Sequence, residues 1–132
     1  MEAHVTAFWA ALLAPLYAFL TARVIRRRRR QRVDMGTGGD LLLERYVRAQ
    51  ANFLEAVPYA LILLLLLELA GTPPWLLHLL GMMLLAGRIC HARSFSFAEL
   101  RGPSGVAGTG LTQTMIIGSA LLLLATWLTG RS

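Results

Sequence analysis

Four long apolar runs dominate this chain and leave few options for what it can fold into. They cover about residues 4–22, 53–70, 75–89 and 106–128. A run of roughly 20 mainly apolar residues, wound as an α-helix, matches the hydrocarbon thickness of a bilayer. The chain has 132 residues, 56% of them hydrophobic, and a mean hydropathy of +0.58. A soluble domain of that size cannot bury so much apolar surface. Inside lipid, backbone N–H and C=O groups must be paired within the structure, which leaves helices or a closed barrel. Barrel strands alternate apolar and polar positions, and the unbroken apolar stretch 61–67 does not. The reading is an all-α integral membrane protein, a four-transmembrane-helix bundle forming one domain over residues 1–132. The third run is the shortest, and burial of Arg88 would extend it.

Charge sets the expected orientation. The formal net charge is +6, and all 13 basic residues are Arg. Arg23, Arg26, Arg27, Arg28, Arg29, Arg30 and Arg32 follow the first run, Arg93 and Arg101 follow the third, and residues 71–74 between the second and third carry no charge. This is the positive-inside pattern. It puts the first and third connectors in the cytoplasm and both termini outside. The Arg run suits anionic lipid headgroups, so membrane lipids are expected partners. Topology accounts for the basicity, and no nucleic-acid partner is expected. The N-terminal run does not read as a cleavable signal, because its positive charge follows the apolar stretch instead of preceding it. The single cysteine, Cys90, rules out an internal disulfide and reads as a small buried hydrophobe.

The second helix is the informative one. It is expected to begin near residue 40, with Asp40 as N-cap, and to carry Glu44, Arg45 and Arg48 below the lipid before entering the Leu-rich span. The preceding glycines at 36, 38 and 39 form a turn. They are not a phosphate loop, which needs a strand before it and a Lys-Ser/Thr ending. Pro58 leaves the carbonyl of Leu54 without its helical donor and is expected to bend the helix. Gly108, Gly110, Gly118, Ser119 and Ala120 on the fourth helix permit close helix approach.

Arg48, Asn52 and Glu55 stand at i, i+4 and i+7, on one helix face. Ionisable groups at membrane depth are costly and face a protein interior or a wet cavity. Arg can clamp a carboxylate through two parallel bonds, Asn can donate and accept, and Glu can hold an ammonium, so the face suits a zwitterionic ligand. The same three residues could instead serve only to hold a bundle together. Arg88 is expected to pair with Glu55 or Glu44 across helices, and Glu68 to be a solvated residue at the outer end of helix two. His4, His78 and His91 are scattered, no Cys or His stands at ligand spacing, and no metal site is expected.

The stretch Arg45-Tyr46-Val47-Arg48-Ala49-Gln50-Ala51-Asn52-Phe53-Leu54-Glu55-Ala56-Val57-Pro58 resembles the helix-two signature of the MAPEG superfamily, the membrane-associated proteins in eicosanoid and glutathione metabolism. Each fixed position of Arg-Ala-(Gln/His)-x-Asn-x-x-Glu-x-x-Pro is met. Asp40 and the Glu44-Arg45 pair are similar to bacterial members. The resemblance implies a homotrimer with sites between subunits, open to the cytoplasm, and glutathione as co-substrate. By position it implies that Arg48, Asn52 and Glu55 bind glutathione, with Arg27 or Arg28 contributed from helix one and Arg88 from helix three. The chemical half of the family pattern departs here. Ala56 stands where leukotriene-synthase-like members have Tyr, and His91 and Phe95 replace two further tyrosines. The thiol-activating arginine falls in register on Gly102, with Arg101 one residue away.

The activity so implied is that of a glutathione transferase or peroxidase-like enzyme acting on a lipophilic substrate that arrives through the bilayer. A guanidinium would lower the thiol pKa, because the thiolate is the nucleophile. Arg101 is the first candidate for that cation and Arg28 the second, with His91 as a hydrogen-bond donor in place of a tyrosine. The competing reading is a non-catalytic lipophile-binding or scaffold protein of the same family. A small transporter ranks last, because the outer halves of the spans are nearly bare of charge.

Overall fold

Sequence features mark where the helices start and stop. The computed structural model describes residues 3–96 and 103–130, and contains α1 (His4–Gln31), α2 (Leu41–Leu69), α3 (Pro74–Ser96) and α4 (Pro103–Leu128). All four are long and apolar enough to cross a membrane. α1 carries its helical turns into the Arg run and stops at Arg32, which adopts a left-handed conformation with φ 54°. The connector then turns through Gly36, Gly38 and Gly39, all at positive φ, where a side chain would be strained. Asp40 caps α2 as expected: Oδ1 accepts from the backbone N–H of Leu42 at 2.9 Å and of Leu43 at 3.2 Å. α2 runs without interruption through Pro58, and α1 does the same through Pro15. α3 continues to Ser96, beyond Ile89, where its apolar run gives way.

α1 has no side-chain cap of its own. Glu68 supplies it from the far end of α2, its carboxylate accepting from the backbone N–H of Val5 at 2.7 Å and of Thr6 at 2.8 Å. This corrects the solvated-end reading. The first N–H groups of a helix lack intrahelical partners and carry partial positive charge. At a membrane boundary a carboxylate placed over them satisfies both sides. The contact ties the start of α1 to the end of α2, opposite the Arg-rich end.

α2 and α3 form the middle of the bundle. α1 packs on both of them and α4 packs on both of them, while α1 and α4 do not meet among the described residues. Trp9, Leu13 and Leu20 of α1 share one buried core with Phe53, Val57, Ala60, Leu64 and Leu67 of α2 and Leu77, Leu80 and Leu84 of α3. A close helix crossing joins α3 and α4 at two glycines. A Cβ on Gly87 would stand 2.8 Å from the Gly108 carbonyl oxygen, and one on Gly108 would stand 2.6 Å from the Gly87 carbonyl oxygen. Gly108, Thr112, Met115 and Ser119 form the buried stripe of α4. A Cβ on Gly110 or Gly118 would meet no neighbouring helix within 4 Å. Less than half of each apolar run is buried within the single chain. The outward Phe8, Ile62, Leu66, Leu121 and Leu124 present the surface expected of a bundle solvated by lipid.

Candidate functional site

The face of α2 that carries Arg48, Asn52 and Glu55 divides in two. Arg48 and Glu55 point away from the core and are exposed on the single chain. Neither forms an ion pair with a described residue. They lie seven residues apart, about 10 Å along the axis at roughly 1.5 Å per residue. Asn52, between them, is half-buried and turns its Oδ1 inward to Arg88.

Arg88 is the most deeply buried ionisable group among the described residues, at 3% exposure. Its guanidinium donates through NH1 to Asn52 Oδ1 at 2.6 Å and to the Asn52 carbonyl oxygen at 3.4 Å. Nε and NH2 both donate to Thr112 Oγ1, at 3.1 and 2.8 Å. Thr112 Oγ1 in turn donates to the Gly108 carbonyl oxygen at 3.1 Å. One cation therefore clamps α2, α3 and α4 together. The expected pairing of Arg88 with Glu55 or Glu44 does not form. Both glutamates are exposed on α2, while the Gly87–Gly108 crossing brings Thr112 directly against Arg88. A buried arginine needs several acceptors, and neutral oxygens from Asn and Thr can satisfy its forked donors without a second buried charge. With Oδ1 so occupied, the amide NH2 of Asn52 donates to no described residue and remains available beside Arg48 and Glu55.

The helix-one arginines are engaged at the α1–α2 connector. Arg27 Nε donates to Asp40 Oδ2 at 2.7 Å. This hydrogen bond lowers the Asp40 pKa below the ordinary carboxylate value, with further help from the backbone N–H groups of Leu43 and Leu42. Arg28 NH1 donates to the Gly36 carbonyl oxygen at 2.7 Å. His91 is buried one turn beyond Arg88, with its backbone close to Gly108. Arg101 and Gly102 lie outside the described residues.

Of the residues singled out by sequence, Asn52 and Arg88 meet directly, Arg48 and Glu55 flank them on the outer face, and Arg27 and Arg28 hold the connector. One partner escaped the sequence reading, Thr112, and another, Glu68, reads from sequence as a solvated end residue. Thr112 had a usable signal, standing four residues after Gly108 and seven before Ser119 on the small-residue stripe.

An Arg/Asn/Glu face on the proline-containing α2 is thus joined, through Asn52, to an arginine of α3. The MAPEG family model matches residues 6–128. The chain belongs to the MAPEG family. It is 37% identical over 106 residues to "Inner membrane protein YecN" of Escherichia coli (strain K12), a match covering 80% of this chain and 81% of that protein. The protein of the same name from Escherichia coli O6:H1 matches to the same extent. Together with the four apolar helices, these relatives make the chain a multi-pass inner-membrane protein.

Proposed function

We propose that this MAPEG member is a membrane-bound glutathione transferase or peroxidase-like enzyme, working as a homotrimer with its sites between subunits. The supporting observation is the outward Arg48–Glu55 pair. Glu55 stands at the hydrocarbon edge, where a carboxylate cannot face lipid at acceptable cost, and Arg48 stands about two turns below it on the same face. A neighbouring copy that covers this face while leaving a wet cleft resolves the conflict. The cleft then holds a ligand with a carboxylate at one end and an ammonium at the other, as glutathione has. Arg48 takes a carboxylate through paired hydrogen bonds, Glu55 takes the ammonium, and the Asn52 amide NH2 donates between them. Arg88 acts as a positioning residue that fixes the Asn52 rotamer. The site opens at the Arg-rich end, which faces the cytoplasm with both termini outside.

The chemistry assigned to the site is thiolate attack. A guanidinium at the Arg-rich end, Arg101 first and Arg28 second, stabilises the glutathione thiolate, whose proton leaves to solvent. The thiolate then forms a C–S bond to a lipophilic electrophile as the leaving group departs. With a lipid hydroperoxide, two glutathiones instead form a disulfide as the peroxide is reduced to an alcohol and water. His91 is the candidate donor toward the reacting group. The second reading, a non-catalytic lipophile-binding protein of the family, draws on Ala56 and Gly102, which remove a tyrosine and the in-register arginine from the chemical half of the site.

Glu55→Gln tests the binding half. It should weaken glutathione binding at least about tenfold by calorimetry, about 1.4 kcal/mol, while light scattering still reports the wild-type oligomer. Loss of the oligomer without a separate binding defect would instead make the face structural glue.

A further inference from the structure

Arg23 stands apart from the rest of the Arg run. It lies three residues before Arg26, nearly one turn closer to the apolar core of α1. Its guanidinium is held between two aromatic rings, 5.2 Å from the Phe19 centroid and 4.3 Å from the Tyr46 centroid. These distances are within the range of cation–π attraction, which strengthens away from water. Arg23 and Tyr46 form the shared wall between two cavities. One, of about 380 Å³, lies between α1 and α3 and is lined by Leu16, Phe19, Ile89 and Ala92, with Arg93 also in its wall. The other, of about 220 Å³, is lined by Arg26, Arg27, Arg30 and Leu42. Among the described residues, no acidic side chain lines either cavity.

An apolar compartment joined to a cationic one through a single guanidinium–phenol pair has the charge pattern of an anionic amphiphile. The larger cavity has the volume of an ordinary ligand pocket, roughly 300–1,000 Å³. We infer that this double cavity binds one anionic phospholipid of the surrounding membrane. Arg23, Arg26 and Arg30 meet the headgroup phosphate, the Tyr46 hydroxyl donates to it, and an acyl chain lies along Leu16, Phe19 and Ile89. Arg27, already paired with Asp40, contributes wall and field. Stacking fixes the plane of the Arg23 fork, so less side-chain freedom is lost when it meets a phosphate. A zwitterionic lipid would bring its ammonium into the same cationic compartment and be disfavoured. This site shares no residue with the Arg48–Asn52–Glu55 face and does not depend on how that face functions.

The test is native mass spectrometry of the detergent-purified protein offered equal amounts of phosphatidylglycerol and phosphatidylethanolamine with the same acyl chains. Wild-type protein should retain phosphatidylglycerol preferentially. Arg23→Gln should lower that preference about tenfold, the loss expected for a charge-assisted contact. Arg29→Gln removes the same charge from an exposed position outside both cavities and should leave the preference intact. If Arg23→Gln does not assemble, Tyr46→Leu carries the test: it removes the nearer aromatic ring without altering net charge, and should also lower the preference. Free glycerol phosphate, the headgroup without chains, should fail to displace the bound lipid. An unchanged preference in Arg23→Gln or Tyr46→Leu would overturn the proposal. So would an equal loss in Arg29→Gln, which means diffuse attraction, or displacement by glycerol phosphate, which means a soluble-anion site.

Discussion

At the residue scale, the most consequential feature is one arginine satisfied entirely by neutral oxygens. Arg88 spends its donors on Asn52 and Thr112, so either partner can be removed and the cost read directly. Thr112→Val keeps the shape of the side chain and deletes the acceptor of two N–H groups. Leaving buried charged donors unmet costs about 1–3 kcal/mol or more, and thermal unfolding in detergent should show a clearly lowered midpoint. Asn52→Ala should have a comparable effect on stability and an additional one on ligand binding, because the same side chain faces both ways. Glu68 provides a second residue-scale check. Glu68→Ala deletes the cap over the Val5 and Thr6 N–H groups and should cost about 1–2 kcal/mol, with faster hydrogen exchange confined to the first turn of α1. Glu68→Gln, which keeps an acceptor, should recover part of that loss.

At the element scale, two joints hold the helices in register. One is the connector between α1 and α2, where Asp40 both caps α2 and accepts from Arg27. Because the Arg27 hydrogen bond depresses the Asp40 pKa, the folded state binds this proton less readily than the unfolded chain. The stabilisation is therefore present above the ordinary Asp value, about 3.9, and is lost as the pH falls through the depressed one. Asp40→Asn keeps a competent cap and removes the charge, so the difference between wild type and this variant isolates the ion pair. That difference should stay level from neutral pH down to about 4 and close below it. The other joint is the α3–α4 crossing. A methyl at Gly108 would meet the carbonyl of Gly87 and the backbone N of His91, atoms that cannot step aside. Gly108→Ala should therefore separate the helices and break the Thr112–Arg88 contact with them, whereas Gly110→Ala, on an open face, should be tolerated.

The four apolar helices, the Asp40 cap and the polar face of α2 were legible in the sequence because each depends on nearby residues: run length, a carboxylate before a helix, a spacing of four and seven. The partners of Arg88 and Glu68 were not. Arg88 meets Thr112, 24 positions away, only because two glycines let α3 and α4 cross closely. Glu68 meets Val5 and Thr6, 63 and 62 positions away, only because α1 and α2 lie antiparallel. The Arg23 stack likewise required Phe19 and Tyr46 to converge from different helices.

At the scale of the whole molecule, the single chain leaves two ionisable groups of α2 uncovered. Its interior is closed by Arg88 and by the leucine core, yet Arg48 and Glu55 face outward from a helix that crosses a membrane. We propose that other copies of the chain cover them and that glutathione occupies the cleft so formed. The most direct test is glutathione binding to the detergent-purified oligomer by calorimetry, followed in the same sample by thiolate absorbance at about 240 nm. The account predicts saturable binding with a thiolate signal at neutral pH, both lost in Glu55→Gln. Binding without thiolate would leave the recognition face intact and contradict the enzyme in favour of a non-catalytic protein. No binding at millimolar glutathione would contradict the glutathione assignment itself.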